Sequence, residues 1–440
     1  MTDQYTPGRL GPEEILRLNR EHVFFSWSVQ NEVNPIPIAG GQGLTYWDAD
    51  GRRYLDFSSQ LMSLNIGYQH PRVVAAIQDQ AARLCAAHPA AAHEPKGVLA
   101  QRIAAVTPGD LNKVFFTLGG AEANENAIKF ARQSTGRQKI LARYVSYHGA
   151  TYGAVTLSGD YRRPPVEPGI PGVIHCFDPY CYRCVFGYTP DICHRECITH
   201  IEQMIQYENP DTVAALIMEG LTGSNGILVP PDDYWPRLRE ITRKYGILLI
   251  SDEVMSGFGR TGRWFAVDHW DVVPDIMTIA KGLTAGYLPL GAVVVSDAIA
   301  RHFDDRMLYM GLTYTGHPLS CAAGIATLQV YHDEGLIENS RRLGEVLAGE
   351  LRAMQARLPC VGDVRALGLF SALELVSDRS TRAPLEAERM GRIKARLLAD
   401  GLTTFVNKNM VFACPPLCIT QDELQAGLGI IERAIAAATR

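Results

Sequence analysis

Ile247-Leu-Leu-Ile-Ser251 runs directly into Asp252-Glu253-Val254, and Ile276-Met-Thr-Ile-Ala280 runs into Lys281-Gly282-Leu283. Each is a five-residue apolar or β-branched run without polar alternation, which reads as a strand buried on both faces and closed by a charged residue. Four further runs have the same character: Lys113–Thr117 (KVFFT), Ile140–Tyr144 (ILARY), Val213–Met218 (VAALIM) and Ala292–Ser296 (AVVVS). Helical segments separate them. The order predicts an α/β fold, a mostly parallel sheet covered by helices.

Beyond this region the pattern changes. Leu343, Val346, Leu347, Leu351 and Met354 mark one face of a helix starting near Leu336, and shorter strand and helix signals follow. The sequence therefore predicts a large domain over residues 66–320 and a smaller α+β domain over 321–440, which also takes in an N-terminal segment, residues 1–65.

Composition narrows the function classes. Of 440 residues 47% are hydrophobic, and 42 basic against 47 acidic side chains leave a net charge of −5. Without a basic run a nucleic-acid partner is disfavoured. The opening MTDQYTPGRL has no apolar stretch, and nowhere do about eighteen apolar residues follow one another, so neither a secretory leader nor a membrane span is expected. Ten cysteines in so long a chain fit reduced thiols and a cytoplasmic setting. Only eight lysines are present, which limits the candidates for a catalytic amine.

In open α/β sheets ligands gather at the carboxyl ends of strands. Four such ends carry chemistry here. After KVFFT and Leu118, Gly119-Gly120-Ala121 opens an amphipathic helix, where free amides and the helix dipole favour a phosphate, although a plain glycine turn reads the same way. After ILARY, Tyr147-His148-Gly149 offers an aromatic face, or only a loop-edge tyrosine. Asp252 ends a central strand and needs a cationic or N–H partner, unless it is a cap or a structural ion pair. Lys281 stands at the mouth of another buried strand, where desolvation makes an amine a nucleophile toward aldehydes; a snorkelling surface lysine is the alternative. Together these ends meet the needs of pyridoxal 5'-phosphate: an aldehyde to bond, a phosphate to hold, a ring to cover and a ring nitrogen to keep protonated.

The sequence resembles the class III, or ω-type, pyridoxal-phosphate aminotransferases. The resemblance rests on Gly43–Phe57 (GLTYWDADGRRYLDF), Asn65–Pro71 (NIGYQHP), Val114–Arg132 (VFFTLGGAEANENAIKFAR), Tyr147–Ala154 (YHGATYGA), Ile250–Gly262 (ISDEVMSGFGRTG), Ile279–Ser296 (IAKGLTAGYLPLGAVVVS) and Gly311–Ala323 (GLTYTGHPLSCAA). It implies fold type I, a covalent imine between Lys281 and the cofactor, and Asp252 on the pyridine nitrogen. It also implies that Tyr147 and Val254 cover the two ring faces, with His148 beside the ring. Gly120 and Ala121 would hold the phosphate, joined by Thr313 of a neighbouring subunit, because such enzymes share their sites across a homodimer, with further pairing into tetramers left open. Glu219, after VAALIM, would be a supporting carboxylate.

The implied reaction moves an amino group from an amine or ω-amino acid to a keto acid such as pyruvate, through pyridoxamine phosphate. Substrate positions carried over are Trp27, Leu61, Met62, Tyr147 and Ser224, a set that suggests an apolar or uncharged donor. The overall pattern is most similar to ω-amine:pyruvate and taurine:pyruvate aminotransferases. One departure matters. Many members have an arginine ahead of the Pro-Pro-Leu turn, whereas this chain has Phe405-Val406-Asn407-Lys408-Asn409, and Lys408 is no equivalent of a bidentate guanidinium.

Cys181-x2-Cys184 and Cys193-x3-Cys197 could enclose a structural zinc, but free cysteines often serve as small hydrophobes and the second pair could mark one helix face. No metal is expected in catalysis. A zinc-binding module would leave Asp252 and Lys281 without a role. A nucleotide-dependent oxidoreductase lacks the GxGxxG spacing. An aminomutase or decarboxylase would use the same cofactor and differ in which bond is broken.

Overall fold

The computed structural model describes Gly8 and residues 10–439. Residues 1–7, residue 9 and Arg440 lie outside them, and with them most of the decapeptide inspected above for a leader.

Seven strands build the large sheet: β1 (Leu111–Thr117), β2 (Lys139–Arg143), β3 (Val173–Cys176), β4 (Val213–Glu219), β5 (Leu248–Asp252), β6 (Ile276–Ile279) and β7 (Gly291–Ser296). Their order is β1-β7-β6-β5-β4-β2-β3, and only β7 runs antiparallel to its neighbours. Six of the seven were legible as apolar runs. β3 was not, being a short, largely half-buried edge strand that carries His175.

The absence of alternation follows from burial on both faces. Ile217, Ile250, Ile276 and Val293 pack with Ala123, Ala127 and Ala131 of the helix Gly120–Thr135 on one side. Leu216, Leu249, Met277 and Val294 join the main core on the other. Each fully buried Ile or Leu contributes about 1.5–3 kcal/mol, so the central strands are the most strongly held part of the sheet.

A second sheet is antiparallel and C-terminal: Val361–Ala366, Ser371–Asp378, Met410–Ala413 and Val406–Asn407, in that order. The helix Leu336–Arg357 precedes it and buries Leu343, Leu347, Leu351 and Met354, the face predicted from sequence. The N-terminal strands Ile38–Gln42, Thr45–Asp48 and Arg53–Asp56 form a third sheet, completed by Leu402–Thr403 parallel to Arg53–Asp56. Among the described residues no helix is long and apolar enough to cross a membrane.

Arg260 joins these parts. It is fully buried and has no carboxylate partner among the described residues; Nε donates to Asn65 Oδ1 at 3.0 Å, and Nη1 donates to the carbonyls of Pro415 and Cys414 at 2.6 and 3.3 Å. One guanidinium thus ties the loop after β5 to the N-terminal segment and to the C-terminal Pro-Pro-Leu turn.

In the insert between β3 and β4, Cys181, Cys184, Cys193 and Cys197 line one cavity of about 250 Å³. All four thiols are free. Cys193 lies ahead of the helix Glu196–Tyr207 and accepts the Arg195 N–H at 3.2 Å, so the second pair does not share a helix face. Among the described residues no group of three His, Cys, Asp or Glu side chains is arranged to hold a metal ion.

Replacing Arg260 with Met would strand Asn65 Oδ1 and the Pro415 carbonyl, while the Cys414 carbonyl keeps the Ser59 hydroxyl at 2.6 Å, at about 1–3 kcal/mol for an unpaired buried group. The Arg260→Met protein is expected to lose about 2 kcal/mol or more of stability in urea unfolding. A change below about 0.5 kcal/mol would show that this joint carries no weight.

Candidate active site

The chemistry-bearing strand ends lie along one edge of the sheet. Glu219, Asp252 and Thr278 sit side by side in register on β4, β5 and β6. Asp252 is the last residue of β5 and Glu219 the last of β4, so both carboxylates are fixed by strand pairing. They line a cavity of about 450 Å³ together with Gly119, Gly120, Ala121, Tyr147, His148, Val254 and Lys281.

Three N–H donors hold Asp252. The backbone N–H of Val254 reaches Oδ1 at 3.0 Å, while His148 Nδ1 and Asn124 Nδ2 lie 2.7 and 2.8 Å from Oδ2. A carboxylate can only accept, so the Nδ1 facing it carries a proton. Asn124 is itself fixed, its Oδ1 accepting from Thr278 Oγ1 at 2.8 Å and its Nδ2 also donating to the His148 carbonyl at 2.7 Å. Oδ1 receives one N–H, which leaves it a free lone pair beside the cavity.

Lys281 follows β6 in a single turn of 3-10 helix with φ +40°. That left-handed conformation is unfavourable for a residue with a side chain, and such strain concentrates at functional positions. Burial pushes the Lys281 amine down from its ordinary value, with the charges of Asp252 and Glu219 opposing the change. The amine is therefore more readily neutral than a surface lysine.

Glu219 Oε1 accepts the Tyr147 N–H at 3.0 Å and Oε2 the Gly223 N–H at 2.6 Å, and burial raises its pKa. It fixes the Tyr147 backbone at the cavity wall. Gly119 caps the helix Gly120–Thr135 and has no side chain to occupy the first amides. A Cβ on Gly120 would come within 2.6 Å of Val254 Cγ1, so glycine is required for this close approach.

Not every expected residue meets at the cavity. Thr313 is exposed on its own chain and is not among the cavity-lining residues. Met62 is 1% exposed and packs with Leu221, Ile227 and Phe412 instead of facing the cavity. Leu61 and Trp27 are exposed, Trp27 meeting the Tyr147 ring edge-on at 6.2 Å. Ser224 is buried outside the lining and is held by Arg162 and Asn407. Asn124 and Arg162 were missed: Asn124 stood in the quoted glycine-helix stretch, four residues after Gly120, but the spacing alone did not aim it at Asp252.

A model of the aminotransferase class-III family matches residues 27–435. Among solved structures, the taurine:2-oxoglutarate aminotransferase of Bifidobacterium kashiwanohense, in complex with PLP and glutamate, superposes with a TM-score of 0.94 at 42% identity over 98% of each chain. Curated relatives include a leucine/methionine racemase of Thermococcus litoralis, 36% identical over 91% of both chains. Another is a taurine–pyruvate aminotransferase of Bilophila wadsworthia, 33% identical over 94% of this chain and 96% of its own. With matches of this extent laid over the geometry above, the chain belongs to the class III aminotransferases.

Proposed function

We propose that this protein moves an amino group from an amine or ω-amino acid to a keto acid such as pyruvate, with Lys281 and Asp252 at the reacting centre. As a class III aminotransferase it is a pyridoxal-phosphate-dependent transaminase of fold type I. The observation that carries the assignment of residues is the meeting of Lys281, Asp252 and the Gly119–Ala121 turn in one cavity.

These residues fit the cofactor. The first amides of a glycine-opened helix suit its phosphate. Asp252 Oδ1 retains a lone pair for a protonated ring nitrogen, and Tyr147 and Val254 stand at the cavity wall for its two faces. When bound, pyridoxal phosphate supplies an aldehyde that joins amines and a ring that takes up the electron pair released at the amine-bearing carbon.

The chain's own residues do the rest. Lys281 would hold the cofactor's aldehyde carbon, and its Nζ, when free, would be the base that takes the proton from the amine-bearing carbon of the substrate, its pKa already lowered by burial. Asp252 holds a proton at the ring nitrogen, and His148 and Asn124 hold Asp252. Trp27 and Tyr147 form an aromatic wall on the substrate side. A second copy of the chain contributes Thr313 at the phosphate end, which accounts for its exposure here. Ten free cysteines fit a reducing, cytoplasmic setting, and the exposed Thr313 fits a homodimer.

Three measurements follow from these roles. Lys281→Ala should lose the visible cofactor band and at least about a thousandfold of turnover with any amine and pyruvate; full activity in that variant would refute the assignment. Product analysis should find the amino group on the keto acid, whereas return of the inverted amino acid alone would make the protein a racemase. Asn124→Ala, which removes one donor to Asp252, should reduce kcat about tenfold while leaving cofactor uptake intact; an unchanged kcat would show that this hydrogen bond does not serve the reaction.

The rate of cofactor uptake by the cofactor-free protein should rise with pH as Lys281 loses its proton, with a midpoint below the ordinary 10.5 because burial lowers it. Glu219 opposes that shift, so Glu219→Gln should move the midpoint to still lower pH. A move upward, or a midpoint at the ordinary lysine value, would contradict the burial of the amine.

A further inference from the structure

Arg162 is a buried cation beside the cavity that the reaction as described leaves unused. It is 7% exposed and lies on the loop after the helix Tyr152–Leu157. Its guanidinium carbon is 4.0 Å from the centroid of Tyr147, 5.5 Å from that of Trp27 and 5.1 Å from that of Tyr161. It therefore stands in the aromatic wall beside the cavity-lining Tyr147.

Its hydrogen bonding is incomplete. Nη2 donates to Ser224 Oγ at 3.2 Å and lies 3.3 Å from Asp160 Oδ2. Asp160 is shared: Oδ2 also accepts from Asn225 Nδ2 at 2.9 Å, and Oδ1 accepts the Arg162 backbone N–H at 3.0 Å. Nε is buried and has no hydrogen-bond partner among the described residues. An unpaired buried N–H is costly, and an Arg edge with a free Nε presents the geometry that pairs with an oxyanion.

The position also answers the departure noted in the sequence. Asn407, within the segment where an arginine is missing, donates to the Ser224 carbonyl at 2.8 Å. Arg162 reaches the hydroxyl of that same Ser224 from the other side. Phe405 fills its own place by packing edge-on against Phe412, with centroids 5.0 Å apart. The charge of Arg162 is close enough to Lys281 to press on the amine.

Resting on the transaminase reading, we propose that Arg162 binds the acid group of the substrate, a carboxylate or sulfonate, and so supplies from the loop after Tyr147 the guanidinium absent from residues 405–409. This replaces the expectation of a site suited to uncharged donors. The enzyme then favours acids at the end of the molecule remote from the reacting carbon, in a donor such as an ω-amino acid, or beside it, as in the keto acid.

Arg162→Met and Arg162→Lys, loaded with cofactor, decide the matter. In half-reactions followed at the cofactor band, β-alanine and 2-aminoethanesulfonate are compared with butylamine, and pyruvate with butanal. Arg162→Met is expected to lower kcat/KM for acids by about 10- to 100-fold more than for their uncharged counterparts, and Arg162→Lys to restore part of the difference. Loss confined to donor acids places the contact at the remote end; loss with pyruvate places it beside the reacting carbon. Calorimetric titration with propionate and methanesulfonate, which have no amine, should show binding to the wild-type holoenzyme that Arg162→Met abolishes.

Equal losses for acids and neutral substrates, or acid binding unaltered by the substitution, would overturn the proposal and reduce Arg162 to a prop for Tyr147. If the wild-type holoenzyme converts none of these amines, the transaminase reading fails instead, and the calorimetric arm still decides what Arg162 binds.

Discussion

The carboxylate of Asp252, gripped by three N–H groups at the end of the central strand, is the contact on which the rest of the site depends. A carboxylate buried in a sheet edge is costly unless hydrogen bonds meet it, and here a backbone amide, an asparagine and a histidine from separate elements do so. Those donors fix its orientation. Strand pairing sets Glu219 and Thr278 on either side, and the strained turn at Lys281 closes the row. The large sheet is therefore more than a scaffold: its register is what brings acid and amine to one cavity.

Much of this was legible in the sequence for a physical reason. Strands covered on both faces must be largely apolar, so six of seven appear as short apolar runs, and Glu219, Asp252 and Lys281, which follow three of them, are conspicuous. The edge strand Val173–Cys176 was invisible because a half-buried edge tolerates His175 and needs no apolar run. The run ILLIS pointed to Asp252 as the residue after a strand; it is the strand's last residue, because the ladder to β4 and β6 continues through it.

Contacts made across the sheet were not legible. Asn124 reaches Asp252, 128 residues away in the chain, and no local pattern announces it. Arg162 is one of two adjacent arginines with no motif around them, and only the folded chain shows its guanidinium over Tyr147. Family resemblance supplied Met62 as a site residue, yet Met62 is packed inside a hydrophobic cluster. Transferred positions carry residue type faithfully; orientation comes from packing.

The central claim is that Asp252 faces the ring nitrogen of a cofactor joined to Lys281 and keeps that nitrogen protonated. Nitrogen-15 NMR of the holoenzyme, loaded with ring-labelled pyridoxal phosphate, measures this directly. A pyridinium signal that persists at neutral pH is expected in the wild type. A resonance typical of unprotonated pyridine would contradict it and remove Asp252 from the reacting centre.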